Sequence, residues 1–275
     1  MKPYLETKDF SVSQERFKLL YDENLEMLVT KPQPENLDKY YQSEAYISHT
    51  DAAETITDKI YQRVKKYSLS KKVKLVKGYT KTKKTLLDVG AGTGDFLITA
   101  SNNNLKPTGV EPNADAKEKA KAKGLELFSS LEEVSNNKFE IITLWHVLEH
   151  LPDLETQISK LVSLLEEDGT LIIAVPNFKS YDAKHYASFW AAFDVPRHLW
   201  HFSQTAIEKL FSKHEMKVVK RKPMIFDAFY VSLLSEKYKS GKQHFIKAFF
   251  VGLWSNTMAF FTKESSSLIY VIKRG

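Results

Sequence analysis

The sequence predicts an α/β fold: a doubly wound parallel sheet of seven strands with helices on both faces, an N-terminal extension ahead of it and a helical insertion between its last two strands. Two observations carry the prediction. From residue 84 on, short apolar runs alternate with stretches of helical spacing, the pattern of successive β/α units. The first of those runs feeds a glycine-rich turn that opens a helix. With 275 residues, 43% of them hydrophobic and 27% charged, the chain is long and apolar enough to bury a sizeable core.

Residues 1–50 read as the extension. Phe17, Leu19 and Tyr21, then Leu25, Met27 and Val29, alternate about Asp22-Glu23-Asn24 as a hairpin would, and Lys31-Pro32-Gln33-Pro34 ends the element. A tyrosine-rich stretch, Tyr40, Tyr41 and Tyr46, runs into His49. The main domain, 51–275, opens with Asp51 and Glu54 spaced as a capping box, and with Ala53, Ile56, Ile60, Val64 and Tyr67 at helical spacing. Strands are expected at 85–89, 108–111, 125–128, 139–145, 170–175, 216–220 and 268–272. Helices are expected to start near Asp95, Asn113, Leu131, Asp153 and Gln204, with Ser203 capping the last of these.

The insertion, 225–263, is rich in aromatic and aliphatic residues. Its stretch without charge, 248–262, is 15 residues long and broken by Ser255, Asn256 and Thr257, short of the roughly 20 apolar residues a membrane span needs. A helical cover over the sheet edge or a substrate pocket is expected, not a transmembrane segment, with peripheral membrane contact left open. The start, MKPYLETKDF, lacks the apolar core of a signal peptide, which makes the cytoplasm the expected location.

The net charge is +6, with pI near 9.1. Eleven Lys or Arg and no acid lie between Lys59 and Lys84, so the rest holds 29 bases against 34 acids. The basicity is thus one segment, read as the wet face of a helix, with Lys59, Arg63 and Lys66, and a Lys-rich linker. A nucleic-acid partner is therefore not expected. The absence of cysteine excludes disulfides, thiolate zinc sites, iron–sulfur clusters and a Cys nucleophile.

The strongest motif is Leu86-Leu87-Asp88-Val89-Gly90-Ala91-Gly92-Thr93-Gly94-Asp95-Phe96-Leu97, an apolar strand, a glycine turn and a helical pattern in succession. Glu111 follows 21 residues after Gly90, at the end of the second strand, where its carboxylate can accept both ribose hydroxyls of an adenosine. A dinucleotide would want a small residue at 95, where a pyrophosphate meets the helix start. The carboxylate of Asp95 there favours S-adenosyl-L-methionine, with its sulfonium and zwitterionic tail.

These motifs, with GVEP (109–112), FEIITLWHVLEHLPD (139–153) and DGTLIIAVPN (168–177) in order, resemble the class I S-adenosylmethionine-dependent methyltransferases. Together with FWAAFDVPRHLWHFS (189–203), they resemble the small-molecule branch that includes the ubiquinone-biosynthesis O-methyltransferases. The resemblance implies a Rossmann-like seven-stranded methyltransferase sheet and a transferase with S-adenosyl-L-methionine as cofactor. It implies that Asp88, Gly90, Ala91, Gly92 and Gly94 line the methionine part, Glu111 the ribose, and Pro112 and Asn113 the adenine. Leu144, Trp145 and His146 would sit beside the transferring methyl, and Tyr46 and His49 would belong to a lid over the cofactor. One departure is that many relatives place an acid after the third strand, where this chain has Phe128-Ser129-Ser130-Leu131.

The expected activity is methyl transfer to an oxygen, or a carbon, of a small-molecule acceptor, with His146 and then His201 as candidate bases, histidine being suited to that task near neutral pH. The alternatives are an RNA methyltransferase using 59–84 as a phosphate track, an NAD-dependent oxidoreductase, and a non-enzymatic binding module that retains the cofactor fold. His146-Val147-Leu148-Glu149-His150 also fits a zinc-peptidase pattern. Its place directly after a buried strand, with Pro152 close behind, argues against that and no metal is assigned, a magnesium-assisted variant in which Glu149 with His146 or His150 orients a catechol-like substrate being the lesser reading. Arg197, His198 and His201 either face the pocket or tie their loop to the sheet by buried hydrogen bonds. The aromatic residues Tyr181, Phe189 and Trp190 are either core or pocket wall.

Overall fold

The structure is a computed structural model that describes residues 1–41 and 56–275. Its centre is a sheet built from β4 (Thr85–Val89), β5 (Lys106–Val110), β6 (Phe139–Trp145), β7 (Leu165–Pro176), β9 (Met216–Pro223) and β10 (Ser267–Arg274). The strand order is β5-β4-β6-β7-β10-β9, with β4, β5, β6 and β7 parallel and β10 antiparallel to both β7 and β9. Central strands of such a sheet are covered on both faces and carry unbroken apolar runs; Ile141, Ile142 and Leu144 of β6, like Leu171, Ile172 and Ile173 of β7, are 0% exposed.

The sheet thus has six strands where seven were expected. The missing one, 125–128, contributes a single bridge between Phe128 and Val110. Gly124, at φ 80°, turns the chain out of the preceding helix, and the segment meets the edge of β5 only where Phe128 N donates to Gly109 O and Glu111 N donates to Phe128 O. The helix expected at Leu131 is one 3-10 turn, Glu132–Val134, ended by the polar run Ser135-Asn136-Asn137.

The covering helices are α1 (Ile56–Lys77), α2 (Asp95–Ser101), α3 (Ala114–Ala122), α4 (Leu154–Leu164), α5 (Tyr181–Tyr186) and α6 (Gln204–Ser212). Ser203 caps α6 as expected, its side chain accepting from Ala206 N. The capping box at Asp51 and Glu54 lies outside the described residues. Among the described side chains of α1 the buried ones are Val73 and Val76, whereas Tyr67, expected on the core face, is half exposed and packs edge-on to Phe226 at 5.8 Å.

A second sheet joins β1 (Lys2–Lys8), β2 (Arg16–Asp22) and β3 (Met27–Lys31) with the two-residue β8 (Trp200–His201), all antiparallel. The expected hairpin is β2 and β3, with Asp22 opposite Met27. Arg197 fastens this sheet to the chain before β8. Its guanidinium grips both oxygens of Asp194, at 2.5 and 3.0 Å, and also donates to Asp9 Oδ1 and Tyr40 O.

The insertion consists of α7 (Ile225–Ser240) and α8 (Phe245–Thr262). It is pinned through Asp182, which is 0% exposed and accepts from Ser255 Oγ of α8, Ser266 Oγ next to β10 and Trp190 Nε1. Among the described residues, no helix is long and apolar enough to cross a membrane.

Candidate active site

In open α/β sheets ligands collect outside the carboxyl ends of the strands, where strand order reverses. Here that point is the end of β4, whose successors β5 and β6 lie on opposite sides of it. Gly90, Gly92 and Gly94 all have positive φ, at 72°, 53° and 79°. A Cβ at 90 would fall 2.4 Å from Val147 Cγ2 and one at 94 would fall 2.2 Å from Leu125 Cδ1, while one at 92 would meet nothing within 4 Å. The outer glycines let the turn close against its neighbours, and Gly92 leaves open space at its crest.

The turn is tied to the second β/α unit. Gly90 N and Ala91 N donate to Val110 O, and the buried carboxylate of Glu111 accepts from Gly92 N at 2.8 Å and from Asn113 N at 2.9 Å. Each of its oxygens retains a lone pair, so the same carboxylate can accept a pair of hydroxyls. Asn113 also caps α3, and Pro112 beside it is exposed. Phe128, 39% exposed, is held against Glu111 by its backbone bond and presents an aromatic surface at the point where many relatives carry an acid.

Asp88, 2% exposed, accepts from Thr143 Oγ1 at 2.6 Å. Burial pushes its pKa up to about 7, against the opposing hydrogen bond from Thr143 and the charge of Lys72. Lys72 comes from the basic segment, its ammonium 4.4 Å from the Trp145 ring centre. Burial lowers its pKa while Asp88 and Asp227 oppose the shift. Lys65 of the same segment reaches Asp95 at 2.7 Å and Lys123 reaches it at 2.6 Å. Two corrections follow: the basic helix face is partly turned toward acids of the domain, and Asp95 is neutralised by two ammonium groups, so its charge does not by itself select against a pyrophosphate.

Beyond β6, Leu144 is buried and Trp145 packs edge-on to Phe96. His146 has a φ of +59° and donates its N–H to Ala174 O. Its Nε2 lies 3.0 Å from Asp227 Oδ2, in the first turn of α7, and its Nδ1 lies 3.4 Å from Glu149 Oε1. Burial opposes charge on this ring, but the hydrogen bonds and negative charges of Asp227 and Glu149 prevail and raise its pKa to about 10. At neutral pH His146 is an imidazolium. Asp227 was invisible in the sequence as a site residue because nothing local marks one acid in an apolar helix.

His201, the second candidate base, is not brought to this place. It is buried in β8, Thr30 Oγ1 lies 2.9 Å from its Nε2, and Phe193 packs edge-on at 5.4 Å. Burial drives its pKa well below the ordinary value. Arg197 and His198 likewise serve buried hydrogen bonds, as does Trp190; Tyr181 and Phe189 are partly buried. Tyr46 and His49 lie outside the described residues.

Strand order, glycine turn and spaced carboxylate together define the class I methyltransferase architecture. A family described as a methyltransferase domain matches residues 61–221, and the chain belongs to it. It is an S-adenosylmethionine-dependent enzyme, and the open crest at Gly92 beside the Glu111 carboxylate fits that cofactor. No curated protein sequence matches the chain. Among solved structures it is similar to a magnesium protoporphyrin IX methyltransferase of Synechocystis crystallised with SAH, at 15% identity and TM-score 0.56, covering 86% of this chain and 97% of that one. It is also similar to a SAM-dependent methyltransferase of Archaeoglobus fulgidus (14% identity, TM-score 0.52, 76% and 94% covered) and to the cyclopropane synthase MmaA2 of Mycobacterium tuberculosis (12%, 0.52, 74% and 83%).

Proposed function

We propose that this enzyme methylates an oxygen, or an activated carbon, of a small lipophilic acceptor, working from the cytoplasmic side at a membrane surface. The observation that carries the reading is the glycine cradle and Glu111 standing at the same sheet edge as the His146–Asp227 pair. S-adenosylmethionine, when bound, supplies an electrophilic methyl group on a cationic sulfonium. Glu111 would hold its ribose, Pro112, Asn113 and Phe128 its adenine, and Asp88 with the turn from Gly90 to Gly94 its methionine part. Leu144, Trp145 and His146 would line the meeting place of methyl and acceptor, under a lid that includes Tyr46 and His49. His146 would take the proton of an acceptor hydroxyl once it is neutral, so the rate should rise with pH toward the pKa near 10 that its carboxylates impose.

The insertion supports a lipophilic acceptor. Ile246, Phe249, Phe250, Trp254, Phe260 and Phe261 of α8 are each more than half exposed, an apolar face of the kind that docks on other surfaces. The two acids of the insertion are engaged by His146 and Lys247, while Lys237, Lys239, Lys242, Lys247 and Lys263 are exposed. Exposed aromatic side chains and exposed lysines in one insertion match an anionic lipid surface. The RNA reading loses support because Lys65 and Lys72 turn toward the site and Lys81 and Lys83 pair with Asp168 and Glu166.

Two measurements test the reading. Calorimetry should show binding of S-adenosylmethionine and none of NADH; the reverse result ends it. The protein should sediment with anionic vesicles and less with zwitterionic ones, and Phe249→Ser with Trp254→Ser should reduce this. No sedimentation with either vesicle removes the membrane part and leaves methyl transfer standing.

A further inference from the structure

Behind His146, two imidazoles and one carboxylate from separate loops converge. One ligand atom each of Glu149, His150 and His198 lies within 4.8 Å of the other two. Glu149 and His150 follow β6, while His198 comes from the segment before β8. Leu199 N donates to Glu149 O at 2.8 Å and holds the two loops together. The imidazole rings meet edge-on, 4.5 Å between centroids.

The hydrogen bonds around the rings fix their tautomers. His198 Nδ1 lies 2.9 Å from Ala192 O, and His150 Nδ1 lies 3.0 Å from Arg197 O. A carbonyl oxygen only accepts, which assigns the proton to each Nδ1, the Tyr41 hydroxyl also lying 3.1 Å from His150 Nδ1; each Nε2 then keeps a lone pair, that of His198 standing 4.0 Å from Asp194 Oδ2. This is how metal-binding histidines are held, with the far nitrogen anchored to a backbone carbonyl. Glu149, 1% exposed, has no well-formed hydrogen bond to either carboxylate oxygen; His146 Nδ1 faces it at 3.4 Å, and the His150 and His198 rings are its other ionic neighbours. The three side chains thus bring a buried carboxylate oxygen and two ring nitrogens within 4.8 Å of one another, an acceptor set that a cation can satisfy.

We propose that Glu149, His150 and His198 bind a first-row divalent cation, zinc being the representative ion. Two imidazoles and a carboxylate suit zinc, manganese or ferrous iron, whereas magnesium prefers an all-oxygen set. Three protein ligands leave a fourth position open to water or to an oxygen of an acceptor. The sequence motif suggested His146 and His150 as a pair. The fold instead turns His146 to Asp227 and brings in His198, 48 residues further along. The inference does not depend on methyl transfer, since its readout is metal binding.

The test is titration of chelator-stripped, full-length protein with Co2+, whose visible d–d absorption reports nitrogen and oxygen ligation, followed by displacement with Zn2+. One Co2+ per chain is expected. Glu149→Gln and His198→Ala should each weaken binding at least about tenfold, the scale seen even for residues that merely orient ligands. His244→Gln, which alters an exposed histidine, should not. Because His198→Ala removes a buried side chain, a second readout uses the wild-type protein: Zn2+ should raise its melting midpoint and Mg2+ should not. The proposal is overturned if the stripped protein shows no d–d bands, if Glu149→Gln binds Co2+ as tightly as wild type, if His244→Gln abolishes binding, or if Zn2+ leaves the melting midpoint unchanged.

Discussion

Two corners of one sheet edge are built in opposite ways. The glycine corner comes from two consecutive β/α units, and its key contacts, Gly90 to Val110 and Glu111 to Gly92 and Asn113, span about 20 residues at most. The histidine corner draws His146, Glu149 and His150 from one loop, His198 from another and Asp227 from the insertion. A contiguous turn can be specified by backbone conformation alone. A cluster of ionisable groups takes its properties from whatever charge the fold places within a few ångströms.

Removing the clamp behind the histidine corner should have the largest effect. Arg197→Ala leaves the buried Asp9 and the partly buried Asp194 without their shared guanidinium, and urea unfolding should show a loss of about 3–5 kcal/mol. If the corners are as separate as their construction implies, the folded fraction of this variant still binds S-adenosylmethionine, and a loss of stability below 1 kcal/mol would mean the clamp is weak. Next comes the glycine corner itself. Glu111→Gln removes the charge from its hydrogen bonds, worth about 1.5–3 kcal/mol, so cofactor affinity by calorimetry should fall roughly ten- to a hundredfold. Unchanged affinity would deny Glu111 its role.

Asp227→Asn addresses the coupling between insertion and site. Losing this anion lowers the pKa of His146 from about 10, and the alkaline limb of the rate profile should move down by roughly one to three pH units. An unmoved profile would take the base role away from His146.

The smallest effect concerns stability against pH. His150, held down to about 4, and His201, driven well below its ordinary value by burial, stay neutral in the fold while the unfolded chain takes up protons near 6.5. Their contribution is complete above 6.5 and is lost as pH falls toward 4. His146 has the opposite sign, contributing fully below 6.5 and losing its contribution as pH rises toward 10. Asp88, raised to about 7, opposes the two histidines in this window, contributing fully below its ordinary 3.8 and losing that contribution as pH rises toward 7. The histidine limb is therefore read in Asp88→Asn protein, whose stability by chemical denaturation should rise from pH 4 to pH 6.5; a flat curve in that variant would contradict the buried neutral histidines.

The sequence was most legible where the chain stays local. The strands 85–89 and 139–145, the turn between Asp88 and Asp95, the Ser203 cap and Glu111 all follow from spacing and residue type within short windows. The strand expected at 125–128 failed because pairing at a sheet edge depends on how long the neighbouring chain stays alongside. His201 failed as a base because its alternation with Trp200 and Phe202 places it in a sheet with residues 28–30, out of reach of the glycine turn.

By itself, then, the sequence determined the fold class, the glycine turn after β4 and the methyltransferase family, since these rest on backbone geometry written in adjacent residues. Tertiary structure alone decided that His146 is charged, that Lys65 and Lys123 neutralise Asp95, and that His198 joins Glu149 and His150. Protonation and ligation depend on distance in space, and the partners lie 81, 30, 28 and 48 residues away along the chain.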